Sequence, residues 1–429
     1  MKRLRILVSA YACNPIGSLQ SHPGEDMTGW RLVEQLNRFH DLCVITRSYN
    51  REGVEKALAQ GALPEVRFHF IQLPSWLRVL YKLEFGQRIY YYLWQILAWR
   101  VAKRLHRKLH FEVAHHLTFG NDWIPSFIGA FLPVPFIWGP VGGGQRTPQG
   151  LFSEYTLAGK LRERGRTFGQ WIGRTLLFSR KQCLKKAKAI LVCNYETKTK
   201  MPKRFLDKVH LFPVNGISPD NLDNQLCKNN SSDTFLVLTA GRLHRLKGFD
   251  IAIRAFNVFA QHFPKTTFEI VGQGPEEAKL HQLVNALRIR DRITFTQWLT
   301  REELLARMRE SDVFLFPSFR DGGGAVVVEA MASGIPVVCL DNGGPGFHIQ
   351  KEWGIKIFPK DPEFVTNEMV NALEKLYLDK DLRMKMGRAA RKRVEECYLW
   401  DRLGKRMQEI YQNALVNPIN RVNSTNPKN

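Results

Sequence analysis

The second half of the chain repeats one pattern three times: a short apolar run, a glycine-bearing turn, and a stretch long enough for a helix. Residues 234–240 lead into Gly241, residues 267–271 into Gly272 and Gly274, and residues 313–316 into Pro317 and the triplet Gly322, Gly323 and Gly324. Runs without polar alternation suit strands covered on both faces, and strands that alternate with helices form parallel sheets. Pro317 marks a strand end, because proline has no N–H for the ladder. Ligands of such sheets bind beyond the carboxyl ends of the strands, so the three turns converge on one cleft. Glycine lets the backbone approach a ligand there, and the free N–H groups of the following helix attract anions.

The first half reads the same way. Strands are predicted at residues 5–10, 42–46, 66–73, 113–117 and 136–138, with a loop bearing Gly24, Glu25 and Gly29 where a helix opens near Thr28, and a glycine loop at Gly142 and Gly143. A chain of 429 residues is long enough for two such domains. The polar stretch after residue 215 sets the boundary: a first Rossmann-like domain over 1–215, a second over 216–396, a helix over 397–416 and a polar, disordered tail over 417–429. The expected architecture is α/β, with two doubly wound parallel sheets facing a central cleft.

The formal charge is +23 and lies mainly in residues 1–215, where 33 Lys and Arg stand against 14 acids. Such an excess serves nucleic acid, an anionic membrane or an anionic substrate. Residues 76–110 interleave Trp76, Tyr81, Tyr90, Tyr91, Tyr92, Trp94 and Trp99 with cations from Arg78 to Lys108. A helix lying at a membrane interface has this composition, and so does a helix with a core-facing aromatic stripe and a solvated basic face. Residues 160–188 form a second basic run, with ten Lys and Arg and one acid. No stretch supplies the roughly 18 uncharged apolar residues of a membrane span, and the apolar run after Arg5 is too short for a signal peptide. Seven cysteines without paired spacing read as free thiols. The expected location is the cytoplasm, free or at the cytoplasmic membrane face.

Several side chains sit where chemistry is expected. His115 and His116 close a predicted strand, and since neighbouring strand residues face opposite sides, one of them should enter the cleft. Arg242 can grip phosphate with two N–H groups, and Lys247 adds a compact charge five residues on, so the pair suits a diphosphate. Asp321 and Glu329 bracket the glycine triplet; buried carboxylates need polar partners, and sugar or ribose hydroxyls would serve. Each feature alone is also compatible with an ordinary solvated loop. The D-x-D match at Asp379 and Asp381 falls in a charged helix connection and reads as surface.

Taken together, G-R-L-x-x-x-K-G over 241–248, V-G-x-G-P over 271–275 and P-S-x-x-[acid]-x7-E-A-M-A-S-G-x-P-V-V over 317–338 resemble the retaining nucleotide-sugar glycosyltransferases of family four, which have the GT-B architecture. Tyr11 to Pro15, Glu25 to Trp30, His115-His116 and Trp138 to Gly144 extend the resemblance, more loosely, to nearly the whole chain. The resemblance implies transfer of a hexose from a UDP- or GDP-sugar to a hydroxyl acceptor, lipid-linked or polysaccharide, with no metal or other cofactor and no nucleic-acid partner. It implies that Arg242 and Lys247 hold the diphosphate beside Gly241, Gly272 and Gly274. Glu329 would hold the ribose, and Asp321 with Gly322, Gly323 and Gly324 the sugar. A histidine at 115 or 116 would lie near the sugar, and the Gly24, Glu25, Gly29 and Gly142, Gly143 loops near phosphate and acceptor. The sequence departs from the family at Asp321, where glutamate is usual, and at Pro345 to His348, where a glutamate is often found. A non-catalytic, sugar-binding or scaffold protein with the same fold is the alternative.

Overall fold

The computed structural model describes residues 3–16, 23–82, 86–222 and 234–415; the tail expected over 417–429 lies outside them. Two all-parallel sheets organise the chain. The first has seven strands, β1 (Arg5–Ala10), β2 (Asp41–Arg47), β3 (Arg67–Ile71), β4 (Val113–Thr118), β5 (Phe136–Val141), β6 (Ala187–Val192) and β7 (Val209–Leu211), in the order β3-β2-β1-β4-β5-β6-β7. The second has six, β8 (Phe235–Ala240), β9 (Thr266–Val271), β10 (Ile293–Thr296), β11 (Val313–Phe316), β12 (Val337–Leu340) and β13 (Gly354–Ile357), in the order β10-β9-β8-β11-β12-β13. Strands β4, β5, β11 and β12 are buried at every position; β11 and β12 are unbroken apolar runs, whereas β4 carries His115, His116 and Thr118 into the interior. In each sheet the winding direction reverses once, between β1 and β4 and between β8 and β11. Loops leaving such a pair diverge and open a crevice.

The last helix, Trp400–Leu415, leaves the second domain and lies on the first. Its apolar face, Trp400, Leu403, Met407, Ile410 and Tyr411, joins the core built on Ile6, Val8 and Val44. The crossing is pinned where the Ile217 N–H donates to the Tyr398 carbonyl at 2.8 Å and the Trp400 N–H to the Ile217 carbonyl at 3.2 Å.

Three local expectations are revised. The first helix spans Pro23–Asn37 rather than opening near Thr28, so Gly24, Glu25 and Gly29 belong to a helix and not to a loop. Proline suits the first helical turn, and Glu25 and Asp26 meet the positive helix end there. In the helix Gly86–Leu109, the rings of Tyr90, Tyr91 and Trp94 are buried, and Tyr11 meets Tyr91 and Trp94 edge-on. These rings form a core-facing stripe. Finally, β4 continues to Thr118, with Val8 level with His115 and Ser9 with His116, which sets both histidines inside the sheet.

Candidate active site

The crevices of the two sheets face each other and enclose a cleft of about 620 Å³. The first domain contributes the helix start at Gly24, Glu25 and Thr28, the segment 117–121 at the end of β4, and Gly142, Gly143 and Gln145 after β5. The second contributes Gly241, Arg242 and Lys247 after β8 and residues 321–326 after β11. A chamber of about 370 Å³ continues from it, sharing Gly24, Thr28, Asn215, Gly241 and Ala325, and holds Glu329 among Ile16, Met27, Ile217, Val271, Leu299 and Trp298.

Lys247 and Asp321 are joined at 2.5 Å across the cleft floor. Asp321 Oδ1 also accepts the N–H groups of Gly323 at 3.1 Å and Gly324 at 2.7 Å. Burial by itself would raise the Asp321 pKa, but the Lys247 charge and these hydrogen bonds outweigh it and hold the group below its ordinary value. Gly324 takes the left-handed conformation (φ 61°) that starts the helix Ala325–Ala332. Asp321 occupies the two glycine N–H groups, and the helix Ala325–Ala332 starts at the cleft, whose lining includes Ala325 and Val326; the first N–H groups of a helix have no partner within it and attract anions. Arg242 stands exposed at the same wall. Among the described residues no carboxylate pairs with it, so its charge is available to a ligand whereas that of Lys247 is compensated.

Glu329 sits one turn further along, its Oε1 3.1 Å from Arg301 Nε. Burial raises its pKa and Arg301 partly offsets this. A single carboxylate at the end of an apolar chamber matches a flat base with its ribose hydroxyls.

On the opposite wall Glu25 accepts the Phe119 N–H at 2.6 Å. Burial pushes the Glu25 carboxyl from about 4.5 to about 7; the neighbouring Asp26 adds to the rise, while Phe119 and Arg47 oppose it. Phe119 holds a left-handed backbone (φ 56°), which costs a bulky residue about 1–2 kcal/mol and is tolerated where the surroundings enforce it. A raised carboxyl pKa means that the folded state loses stability as pH climbs from the unfolded value towards 7. Glu25→Gln, neutral throughout, should therefore be more stable than the parent by about 1–2 kcal/mol at pH 8 and unchanged at pH 4. Thermal melts at the two pH values check this, and equal differences at both would refute it.

Residues 223–393 match the family model of group 1 glycosyl transferases. The match covers the whole of the second sheet, and the chain is similar to that family there. A D-inositol 3-phosphate glycosyltransferase of Paenarthrobacter aurescens is 31% identical over 188 residues, covering 43% of this chain and 45% of that protein. The matches span about half the length of such curated relatives. Solved structures extend the likeness to both domains. Sucrose-phosphate synthase of Thermosynechococcus elongatus superposes with a TM-score of 0.66 at 19% identity, over 96% of this chain and all of that one. Anabaena HepE, solved in complex with UDP and glucose, gives 0.59 at 15%, over 96% of this chain and all of its own. The fold is GT-B.

Of the residues singled out in the sequence, Arg242, Lys247, Asp321, Gly241, Gly322, Gly323, Gly324, Gly24, Glu25, Gly142 and Gly143 come together in the cleft, and Glu329 in its extension. The histidines do not. His115 Nε2 donates to the Gly139 carbonyl at 2.6 Å and its Nδ1 accepts from the Tyr411 hydroxyl at 2.7 Å. His116 Nε2 is bonded to the Tyr91 hydroxyl at 2.9 Å. Both are fully buried, and burial lowers their pKa to about 4 and about 3. Helices cover both faces of the sheet, so alternation sends each ring into protein, and the cleft receives Thr118, Phe119 and Asn121 instead.

Gly29, Gly272 and Gly274 also stand back from the cleft. A Cβ on Gly29 would meet the Ala12 carbonyl oxygen at 2.0 Å, one on Gly272 that of Gly241 at 2.0 Å, and one on Gly274 that of Leu243 at 2.3 Å. They allow backbones to pack, Gly29 behind the first loop of the first domain and Gly272 and Gly274 behind the Arg242 turn. Sequence reading missed the groups that clasp the glycine triplet. Asn194 and Asn215 donate to the Gly322 and Gly323 carbonyls at 2.9 and 2.8 Å. His348 Nε2 donates to the Gly323 carbonyl at 2.7 Å while Tyr398 donates to its Nδ1 at 2.9 Å. The signal for His348 was its place in the departing segment Pro345 to His348; the asparagines carried none. Asp379 caps a helix through the Leu382 N–H at 2.8 Å.

Proposed function

We propose that the protein transfers a hexose from a nucleotide diphosphate sugar to an acceptor hydroxyl, with retention at the anomeric carbon. The observation that carries this reading is the continuity of the two cavities: an apolar chamber ending in Glu329 opens at the uncompensated Arg242 and at the start of the helix Ala325–Ala332. Nucleoside, diphosphate and sugar fit in that order. HepE, with the same fold, was solved with UDP and glucose, which supports a donor of this class here.

In the reaction the bond from the anomeric carbon to the diphosphate oxygen breaks and a bond to the acceptor oxygen forms on the same face. The acceptor proton passes to the departing phosphate oxygen. Negative charge grows on the diphosphate, and Arg242, Lys247 and the Ala325 and Val326 N–H groups stabilise it. This charge provision requires no metal or other cofactor. Glu25 and the Phe119 to Asn121 segment face the acceptor side. The acceptor belongs to a lipid-linked or polysaccharide pathway, and the protein works in the cytoplasm or at its membrane face; no helix among the described residues is long and apolar enough to cross a membrane.

One observation favours a second reading, a non-catalytic sugar-binding or scaffold protein: the Asp321 carboxylate is already engaged by Lys247, Gly323 and Gly324. A panel of UDP- and GDP-sugars decides. Catalysis predicts a raised melting temperature with one donor and release of its nucleoside diphosphate. A shift without release selects the scaffold reading, and no shift with any donor removes both.

A further inference from the structure

Beside the donor cleft the first domain carries a second, unlike cavity. The helices Gly86–Leu109 and Leu157–Thr175 flank an open groove of about 400 Å³ lined by Ile89, Tyr92, Trp123, Ile124, Phe168 and Ile172, with Ile89 and Phe168 at its mouth. Its walls are apolar except for Arg88 and Arg166, and these two also line the adjoining chamber of about 610 Å³ between the domains. That chamber carries an excess of cations: Arg162, Arg245, Arg320 and Lys279 join them, of which Arg245 is paired with Glu154 and Asp250 and Lys279 with Glu276. Glu163 is held by Arg166 and Arg320. Burial lowers the Arg88 pKa, and the facing charges of Arg166, Arg320 and Arg162 lower it further while Glu163 opposes them; a bound anion would act in the same sense as Glu163.

The basic chamber adjoins the donor site. It is lined by Leu246 and Arg320, the chain neighbours of Lys247 and Asp321. Arg166 donates to the carbonyl of Gln145, itself part of the cleft wall, at 3.3 Å. Outside, the helix Leu157–Thr175 exposes Leu157, Leu161, Phe168 and Trp171 at 76, 59, 61 and 53%. These residues stand among Lys160, Arg162 and Arg164 on the same helix. An exposed apolar stripe of this kind marks a binding surface, and its cations suit an anionic lipid layer.

We propose that the two cavities form one site for an anionic amphiphile, which is the acceptor: its apolar tail lies between the helices Gly86–Leu109 and Leu157–Thr175, its phosphate-type head among Arg88, Arg162, Arg166 and Arg320, and its hydroxyl points to the donor cleft. This inference rests on the sugar-transfer reading and names its acceptor class. Arginine clusters hold phosphate by paired N–H donors, and tail burial adds affinity in proportion to the apolar area covered.

Decyl phosphate below its micelle-forming concentration is the probe, with inorganic phosphate and decanol as its two halves, and calorimetric titration the measurement. Decyl phosphate should bind roughly tenfold or more tighter than either half. Gly169 lines the apolar cavity, and a Cβ there meets nothing within 4 Å, so Gly169→Phe should fill the space, keep the fold and weaken decyl phosphate about tenfold while leaving inorganic phosphate unchanged. Ile89→Ser, uncharged and at a site 48% exposed, should do the same should the first variant melt early. Equal affinity for decyl phosphate and inorganic phosphate, or parental affinity in a folded variant, overturns the proposal. Binding to anionic vesicles without binding to monomeric decyl phosphate overturns it too, in favour of a surface contact. Nucleotide-sugar melts on the same protein separate the two readings: a donor shift without decyl phosphate binding removes this inference alone, and no donor shift removes sugar transfer.

Discussion

Arg242→Ala should lower kcat/KM for sugar transfer by about 30- to 1000-fold, or about 2–4 kcal/mol of transition-state stabilisation. The charge on the departing diphosphate is larger in the transition state than in the bound donor, and Arg242 is the cation of the cleft whose charge no carboxylate among the described residues already balances. The loss should therefore fall on turnover more than on donor affinity. Folding should barely notice, by less than about 0.5 kcal/mol, since the side chain is exposed. Lys247→Ala provides the contrast. It also removes a cation, but it strands the Asp321 carboxylate, so it should lower the melting temperature as well as activity. Nucleoside diphosphate release, measured beside melting curves for both variants, checks the pair of outcomes. Undiminished release by Arg242→Ala would remove Arg242 from the mechanism.

Why Arg242 could be found in the sequence while its supporting shell could not is a matter of range. The repeat of apolar run, glycine turn and helix places residues 241, 247 and 321–324 beyond strand ends, because strands buried on both faces carry few charged residues and those of the turns gather at their ends. Glycine spacing marks a turn but does not say what the missing side chain makes room for. At Gly322 and Gly323 the neighbours are Gln145 and Asn215 of the other domain, whereas at Gly272 and Gly274 they are the backbone of the Arg242 turn itself. The clasp formed by Asn194, Asn215 and His348 joins residues from 25 to 128 positions apart, and no local pattern encodes such pairs. The histidines failed for a different reason. Alternation correctly separates His115 from His116, but which side is open depends on helices at residues 86–109 and 400–415, whose Tyr91 and Tyr411 hydroxyls close on the two rings.

Asp321→Ala tests whether that clasp is a stability element as well as a site element. The substitution removes the partner of Lys247 and the acceptor of the Gly323 and Gly324 N–H groups together. Breaking a buried ion pair on one side typically costs more than the pair contributes net, because the remaining charge is left poorly solvated. Here the two side chains are 21 and 18% exposed, so water recovers part of that cost and the expected loss is about 2–4 kcal/mol. Asp321→Asn keeps an oxygen for the glycine N–H groups and should lose less, about 1–2 kcal/mol. The pH dependence separates charge from geometry. Asp321 is held below its ordinary value of 3.8 by Lys247 and its hydrogen bonds, which outweigh burial, so the stability it contributes is present above that value and is lost as pH falls through the folded pKa. Acidification from pH 6 to pH 3 should therefore narrow the gap between Asp321→Ala and the parent. Urea unfolding at the two pH values measures it: a gap absent at pH 6 would show that the glycine turn stands without the carboxylate, and a gap unchanged at pH 3 would show that the hydrogen-bond geometry, not the charge, carries the effect.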